Sequence, residues 1–338
     1  MKMFGKDVSG TPQNIDFLLL PQFSMLAFTS SIEPLRAANR MSGQTLYSWR
    51  TLSIDGSQVK ASNGVAINPG ASIHEPSSAD ALFVCAGLNA TNFDDHKTTS
   101  RLKELARDLS TIGGVCTGSI VLAQAGLLDG YRCTVHWEEV EEFVEVFPEL
   151  DITATLFEID RDRYTCSGGT APLDMFLYSI SKDHSAELAI SVAEQLLHSF
   201  VREPHEPQRR SISHRTGINH PKILGAIAHM EAYVETPIPV SDIAKSVDVS
   251  ARQLERLFRT SLDTTPTRYY LEIRLNKAKQ LLAQTSMPIL QVAVSTGFTS
   301  SAHFAKSFRT TFGHPPSAER NASRPTASTT QATAASPK

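Results

Sequence analysis

The chain has 338 residues, a length that suggests two or three domains. Its apolar fraction of 41% can form real cores, and no apolar run approaches the ~20 residues that span a bilayer. The four cysteines lack CxxC spacing, which argues against a zinc ribbon and against a disulfide framework. We therefore expect no metal, no cofactor and no membrane partner. Because residues 1–13 lack the apolar core of a signal peptide, we expect a cytoplasmic protein.

Charge is distributed unevenly along the chain, although the formal net charge is only −3. Residues 1–201 contain 14 basic and 25 acidic residues, whereas residues 202–338 contain 18 basic and 10 acidic ones. This asymmetry predicts that only the second part contacts nucleic acid. A chance distribution over two domains would produce the same asymmetry, so charge alone does not decide the question.

The first two hundred residues alternate between strand-like and helix-like segments. Apolar runs predict strands at 14–20, 49–54, 64–68, 81–87, 111–116, 152–159 and 164–166. Helical spacing predicts helices at 26–39, 100–110, 117–125, 172–181 and 187–201. Such alternation is typical of an α/β layer fold with a largely parallel sheet.

Cys116 lies in a G-x-C-x-G pattern, from Gly114 to Gly118, between a buried strand and a helix. Small residues on both sides permit the strained turn of a nucleophile elbow. The helix N-terminus would lower the pKa of the thiol, and the N–H groups of Cys116 and Thr117 would face an anion or a carbonyl oxygen. A buried cysteine at a tight strand–helix junction would show the same pattern.

A linker is predicted at 202–221, where three prolines and a glycine interrupt charged residues. Its Arg209, Arg210 and Arg215 are interpreted as parts of a solvated tether rather than as DNA contacts. The tail at 321–338 consists mostly of Ala, Ser, Thr and Pro, cannot bury enough apolar surface to fold, and is predicted to be disordered. The two domains are accordingly predicted at 12–201 and 222–320.

Two segments of the second part, 240–258 and 289–308, each predict a helix, a tight turn and a second helix. Gly297 permits the positive φ of the second turn. Ser250 and Gln253 fit a capping box, and Thr299 and Ser300 can cap the corresponding helix of the second segment. The sequence therefore predicts two helix-turn-helix units in tandem, in an all-α domain.

The second helix of each unit has an apolar face and a polar face. The apolar residues at helical spacing are Leu254, Leu257 and Phe258 in the first unit, and Phe304 and Phe308 in the second. The opposite faces carry Arg252, Arg256 and Arg259, and then Ser301, His303 and Lys306. A short helix that is anchored on one side and basic on the other fits the major groove of DNA.

Residues 222–320 resemble the DNA-binding domain of AraC-type transcription regulators. The motifs that carry the resemblance are Gly297-Phe298, His303-Phe304, Phe308-Arg309, Phe312-Gly313 and Pro315-Pro316. The resemblance implies double-stranded DNA and RNA polymerase as partners. It implies DNA contacts through Arg252, Glu255, Arg256, Ser301, Ala302, His303, Ala305 and Lys306. The segment 269–275 with Gln284-Thr285 is similar to a subgroup that senses amino acids, glycine betaine or carnitine.

Residues 12–201 resemble the class I glutamine amidotransferase-like fold, a flavodoxin-like parallel-sheet architecture, in its PfpI and isocyanide-hydratase branch. The carriers are Glu33, Gly87, the run 116–123 followed by 125–130, and Thr134-Val-His-Trp137. In the proteases of that branch a histidine directly follows the cysteine. Thr117 stands there in this chain, and no His-x-Glu of the triad enzymes follows, so no catalytic residue is assigned.

The same site can bind a ligand, because open α/β sheets hold small molecules at the carboxyl ends of their strands. The ligand-binding residues that we assign are Glu33, Gly87, Cys116, Thr117, His136 and Trp137. Glu33 would attract an ammonium group, the amides at Cys116 and Thr117 would accept a carboxylate, and Trp137 would contact a quaternary amine through cation–π attraction. Phe23 and Phe28 are further aromatic candidates, although all three aromatics also fit a plain core position.

These observations predict a transcription regulator, an activator of catabolic genes, that acts as a homodimer and responds to a small nitrogen-containing inducer. Two alternatives remain open. The first is a Cys116-dependent hydratase or amidase with an accessory DNA-binding domain. The second is a regulator whose α/β domain only dimerises and binds nothing.

Overall fold

The computed structural model describes residues 11–208, 212, 217–285 and 287–322. It divides into two compact units, Met1–Arg209 and Arg210–Lys338. Linker residues 209–211 and 213–216 and the predicted tail from residue 323 onward lie outside the described residues.

The first unit is built on a mainly parallel sheet. Its strands are β1 (Gln13–Leu19), β2 (Tyr47–Ser53), β3 (Val59–Lys60), β4 (Ala66–Ile67), β5 (Ala71–Ser72), β6 (Ala81–Cys85), β7 (Thr111–Val115), β8 (Arg132–Thr134), β9 (Asp151–Thr153), β10 (Phe157–Asp160) and β11 (Arg163–Cys166). Seven of them form one sheet in the order β10-β11-β7-β6-β1-β2-β5. Neighbouring strands are parallel except for the antiparallel pair β10–β11.

Helices cover both faces of this sheet. They are α1 (Met25–Ser42), α2 (His96–Leu105), α3 (Gly118–Gln124), α4 (Val140–Val146), α5 (Ala171–Asp183) and α6 (Ala186–Gln195). Phe17 and Leu19 of β1 join the core under α1, α5 and α6, whereas Leu18 of β1 and the following Leu20 join the core under α2, α3 and α4. Successive strand residues point to opposite faces, so a central strand of such a sheet is apolar throughout. The predicted α/β fold with a parallel sheet is confirmed.

The sequence predicts one strand at 152–159, whereas the structure has two strands there, β9 and β10. β9 pairs with β8 in a separate two-stranded sheet, while β10 pairs with β11 in the main sheet. One straight strand could not reach both partners. The hydroxyls of Thr153 and Thr155 donate to Oε1 of the buried Glu158, at 3.0 and 2.8 Å, which stabilises the break. The predicted strand at 64–68 is likewise reduced to β4, which pairs with β3 outside the main sheet.

Two predicted helices have different ends in the structure. The helix expected at 187–201 ends at Gln195, and Leu197 then adopts a left-handed φ of 54°, which a continuing helix does not allow. The helix expected at 100–110 begins earlier, at His96. The side chain of Asp95 caps it by accepting hydrogen bonds from the N–H groups of Lys97 and Thr98.

The second unit is helical within its described residues. Its helices are α7 (Pro221–Ala232), α8 (Val240–Ser246), α9 (Ala251–Leu262), α10 (Pro266–Gln284), α11 (Ile289–Ser295), α12 (Ser301–Phe312) and α13 (Pro316–Ala322). One core contains Ile243, Leu254 and Phe258, and a second contains Phe304 and Phe308. The long α10 contributes to both cores. The tandem helix-turn-helix units, α8–α9 and α11–α12, are confirmed.

Over the described ranges, no helix combines the length and the apolar character that crossing a bilayer requires.

Candidate functional site

The elbow at Cys116 is present between β7 and α3. Cys116 has a left-handed φ of 61°, in the strained region that sharp strand–helix turns use. The glycines around it lie against other groups. A Cβ on Gly118 would lie 1.9 Å from the carbonyl oxygen of Val84, and one on Gly168 would lie 2.8 Å from Sγ of Cys116. Gly118 is therefore required for the close approach of α3 to Val84, and Gly168 is required for close packing against the thiol.

The thiol of Cys116 is buried, and its chemistry differs from the prediction. Burial raises its pKa to about 12, the neighbouring Cys166 adds to this increase, and a hydrogen bond from the Thr117 backbone opposes it. The expectation that the helix N-terminus lowers this pKa is wrong, because the lost hydration of the thiolate outweighs the favourable backbone contact. The group is a neutral thiol near pH 7.

The backbone amide of Cys116 is also engaged, because it donates to the carbonyl oxygen of Cys166 over 3.0 Å. The hydroxyl of Thr117 donates to the carbonyl oxygen of Gly87 over 2.6 Å. α3 begins only at Gly118 and has seven residues. The structure therefore does not provide the pair of free amides at Cys116 and Thr117 that we expected to hold a carboxylate.

Glu33 lies in α1 and interacts with its own helix. Its carboxylate accepts a 2.8 Å hydrogen bond from Nε of Arg36 and lies 2.7 Å from Nη2 of the same guanidinium. Its side chain is 46% exposed. Phe23 and Phe28 are buried, and their rings meet edge to face at 5.7 Å, so both belong to the core. Glu33 would therefore bring a charge that Arg36 already balances in part.

His136 and Trp137 follow β8 and lie together, with ring centroids 5.7 Å apart. Nδ1 of His136 is 3.7 Å from Oε2 of Glu138, and both side chains are about three-quarters buried. Burial lowers the pKa of His136, and the charge of Glu138 opposes that shift. The imidazole is therefore neutral at pH 7 and can act as a hydrogen-bonding group.

Glu138 and Glu139 were not among the predicted site residues. Their negative charges nevertheless contribute to the raised pKa of Cys116, which places both carboxylates in the electrostatic environment of the thiol. The sequence does contain a signal for them, because two acidic residues directly follow His136-Trp137. Two carboxylates whose charge reaches the thiol can attract a cation to this side of the sheet.

The first recognition helix, α9, has the predicted capping box. Ser250 Oγ accepts from the N–H of Gln253 over 3.2 Å, and Oε1 of Gln253 accepts from the N–H of Ser250 over 2.8 Å. Leu254 and Phe258 are fully buried. The residues that are predicted to face DNA, Arg252, Glu255 and Arg256, are all exposed. Glu255 forms a 3.0 Å ion pair with Arg259 on the same face.

The second recognition helix, α12, has the same arrangement. Its N-cap is Ser300, which accepts from the N–H of His303. Phe304 and Phe308 are buried, and the predicted DNA-facing residues Ser301, Ala302, His303 and Lys306 are exposed, with Ala305 half-buried. The ring of His303 contacts that of Phe298 at 5.6 Å. A weakly basic, small-residue surface therefore accompanies the strongly basic one on α9.

The two helix-turn-helix units are held together by α10. The hydroxyl of Tyr270 donates to the carbonyl oxygen of Tyr233 in the first half. Four residues later, Arg274 donates to the carbonyl oxygens of Thr296 and Gly297 in the second half, over 2.8 and 2.7 Å. Its guanidinium also covers the ring of Phe298 at 4.3 Å. These contacts fix the position of one helix-turn-helix relative to the other.

Gly297 forms the direct contact between the two halves. Its φ is 73°, as predicted for the turn. A Cβ there would lie 2.3 Å from Cγ of Pro237 and 2.7 Å from the carbonyl oxygen of Val234. The equivalent turn of the first helix-turn-helix, α8–α9, has Asp248 in the left-handed region, with φ of 52°. Glycine is therefore needed at position 297 for space as well as for backbone conformation.

Two family models match the chain: DJ-1/PfpI family over residues 14–182, and Helix-turn-helix domain over residues 243–322. The HTH-type transcriptional regulator GbdR of Pseudomonas aeruginosa is 46% identical over 309 residues, which are 91% of this chain and 84% of the relative.

Similarity to an enzyme and to a solved structure is more limited. The isonitrile hydratase of Pseudomonas putida is 30% identical over 166 residues, which are 48% of this chain and 68% of that enzyme. The crystal structure of a transcriptional regulator protein from Vibrio parahaemolyticus aligns with a TM-score of 0.50 at 20% identity. It covers 55% of this chain and 100% of that one, a likeness of fold alone.

Among the described residues, no group of three or more His, Cys, Asp or Glu side chains is arranged to hold a metal ion.

Proposed function

Because this chain belongs to the AraC family of HTH-type transcription regulators that carry a DJ-1/PfpI domain, we propose that it activates catabolic genes when a small cationic nitrogen metabolite occupies the site beside Cys116. The observation that carries the DNA-binding part is the tandem of recognition helices, α9 and α12. Each has a buried apolar inner face and an exposed polar outer face. Two such helices on one rigid unit enter successive major grooves about 34 Å apart.

The ligand class follows from the chemistry around the thiol. Trp137, which packs against His136, offers an aromatic face, and the next two residues, Glu138 and Glu139, place negative charge around the thiol. An aromatic ring next to carboxylates favours an ammonium or quaternary ammonium group. Amino acids and betaine-like amines share this group. Gly87, Thr117 and His136 would border the ligand, and Glu33 would contribute a charge weakened by Arg36.

A hydratase or amidase is the rival function, and similarity to the isonitrile hydratase together with the Cys116 elbow favours it. Nucleophilic catalysis by cysteine requires a thiolate and a base that activates it. The pKa of Cys116 is instead raised to about 12, and the position after it is Thr117. These features support a regulator that does not turn over its ligand.

We further propose that the protein acts in the cytoplasm, where bacterial DNA is located, binds operators as a homodimer and contacts RNA polymerase. An inducer must bind the DNA-competent state more tightly than the other state in order to shift the equilibrium. Light scattering with and without operator DNA tests the dimer. Transcription with purified polymerase tests the contact.

The ligand class is tested by comparing glycine betaine with 3,3-dimethylbutanoate, which has nearly the same shape without the positive charge. Operators are first selected from random duplexes with the purified full chain. We expect glycine betaine, carnitine or arginine to change operator affinity, and the isostere, which keeps the carboxylate but lacks the ammonium charge, to have no effect. An equal response to the isostere would show that shape, not charge, is recognised.

The rival function has its own assay with the same protein. Isocyanides, small amides and aldehydes are incubated with the wild type and with Cys116→Ser. Product formation by the wild type that the serine variant abolishes would establish the enzyme. We expect no turnover, and we expect Cys116→Ser to keep its inducible response, because a hydroxyl replaces a neutral thiol.

A further inference from the structure

The chain that leaves α6 is fastened to the first unit and is not a free tether. Asp174 is fully buried, and its Oδ1 accepts from the N–H of Arg202 over 2.9 Å and lies 2.8 Å from Nε2 of His198. Its Oδ2 accepts from Nε of Arg202 over 3.0 Å. A buried carboxylate whose lone pairs are met by a guanidinium is a strong anchor, because removing either partner leaves a buried charge unpaired.

From this anchor the chain runs along the edge of the main sheet. The N–H of Leu156 donates to the carbonyl oxygen of Glu206 over 2.9 Å, and the N–H of Phe157 donates to that of Pro204 over 3.4 Å. β10 is the outermost strand on this side, so these residues cover the start of an edge that would otherwise be open. We call residues 202–208 the strap.

The strap ends at Gln208, whose amide contacts three acceptors. Its Nε2 lies 3.0 Å from Oγ1 of Thr134, 2.9 Å from the carbonyl oxygen of Val135 and 2.8 Å from that of Thr155. An amide has two hydrogens for these three acceptors. Its own Oε1 is buried, and within the described part of the chain it has no hydrogen-bond partner. A buried carbonyl without a hydrogen bond is destabilising, so this end of the strap is held less stably than the Asp174 end.

Both ends of the strap contact residues that are adjacent in sequence to the candidate ligand site. Val135 directly precedes His136 and Trp137. At the other end, Nη2 of Arg202 donates to Oγ1 of Thr170 over 2.7 Å. Thr170 follows Gly169 and Gly168, and Gly168 lies against the Cys116 thiol. A ligand that displaces these segments therefore acts on the two contacts that hold the strap.

We propose that Gln208 is the positioning residue that couples occupancy of the site at Cys116 and Trp137 to the DNA-binding unit. A ligand that moves residues 135–137 changes the geometry of the Val135 and Thr155 acceptors, and with it the fraction of molecules in which the strap is docked. The docked strap fixes where the chain leaves the first unit. When Gln208 is undocked, Arg202 still holds the strap at its other end. For the chemical class of ligand, this inference rests on the proposed function. The size of the coupling equals the difference in ligand affinity between the docked and undocked states.

Docking of the strap can be measured without any ligand, because the Leu156 amide is protected by Glu206. Hydrogen–deuterium exchange of the full chain is compared among the wild type, Gln208→Glu and Trp137→Leu. The glutamate keeps the shape of glutamine but directs an anionic oxygen at two carbonyl oxygens. We expect exchange at Leu156 to be about tenfold faster or more in Gln208→Glu, and measurably faster in Trp137→Leu.

Gln58→Ala is the matched control, since the Gln58 amide donates to Oδ1 of Asn68 over 2.9 Å on an exposed surface. It should leave exchange at Leu156 unchanged. Wild-type exchange at Leu156 in Gln208→Glu, or no response there in Trp137→Leu, would overturn the proposal. This result does not depend on which ligand the protein binds.

A second measurement uses glycine betaine as the probe and the selected operator. In the wild type we expect it to change the operator Kd at least about fivefold, the lower range of allosteric coupling. In Gln208→Glu the ratio should fall to about one, while the Kd of the ligand-free protein for non-specific DNA stays unchanged. A wild-type ratio in this variant would refute the coupling role. If glycine betaine, carnitine and arginine all fail to affect the wild type, the ligand class is wrong, and the exchange data alone decide the role of the strap.

Discussion

Replacing Gly297 with alanine tests whether the contact between the two helix-turn-helix units stabilises the DNA-binding unit. An alanine at a φ of 73° costs about 1 kcal/mol relative to glycine, because left-handed backbone brings Cβ close to the following carbonyl oxygen. The new Cβ would also lie 2.3 Å from Pro237 Cγ and 2.7 Å from the Val234 carbonyl oxygen. Neither atom ends a flexible side chain, so overpacking adds about 1–3 kcal/mol. We expect the free energy of unfolding of this unit to fall by about 3 kcal/mol.

Gly313→Ala is the control, since Gly313 has a φ of 81° and nothing lies within 4 Å of its Cβ position. It should lose only the conformational term, about 1 kcal/mol. Urea unfolding is followed by circular dichroism at 222 nm. Both tryptophans, Trp49 and Trp137, belong to the first unit, so their fluorescence reports that unit separately. Equal losses of stability and of operator affinity in the two variants would refute the reasoning.

Arg256→Ala should weaken operator binding by about 1–3 kcal/mol and non-specific binding much less, because the loss of a base contact affects only the specific site. The control is Arg268→Ala, which removes an exposed arginine that is paired with Glu272 on α10. Equal losses of specific and non-specific binding in Arg256→Ala would mean that Arg256 contacts a phosphate. Iodoacetamide at pH 8 should alkylate the native chain at least about 100-fold more slowly than the urea-unfolded chain, since burial raises the pKa of Cys116 to about 12. Stability linked to this neutral thiol is complete below the unfolded pKa of about 9 and declines as the pH rises towards the folded value; fast native alkylation would contradict the buried thiol. A fragment starting near residue 217 should fold and bind DNA alone, because the second unit has its own cores; the failure of several start points would argue against this domain boundary.

The features that the sequence predicted well are those with local causes. A capping box needs only Ser250 and Gln253, and the turn at Gly297 needs only one glycine with apolar residues at helical spacing on both sides. The elbow at Cys116 follows from small residues on both sides of the cysteine. Each of these features is determined within about one or two helical turns of chain.

The features that were missed depend on distant partners. The break after β9 arises because β8, about twenty residues earlier, pairs with it. The sequence predicts that Gln208 lies in a linker, yet it contacts groups 53 to 74 residues away in sequence. The pKa of Cys116 depends on how deeply the whole sheet buries it, which outweighs the local helix start. No periodicity in the sequence shows these contacts.

The clamp formed by Tyr270 and Arg274 has a consequence for the DNA itself. Because one helix fixes both recognition helices, the angle between them around the DNA axis is fixed as well. One base pair inserted between the half-sites rotates the second by about 34° and shifts it by about 3.4 Å. About five inserted pairs place it on the opposite side of the duplex. We therefore expect recognition of the operator to depend on the spacing of its half-sites, so that a lost or gained base pair between them weakens binding more than a substituted one.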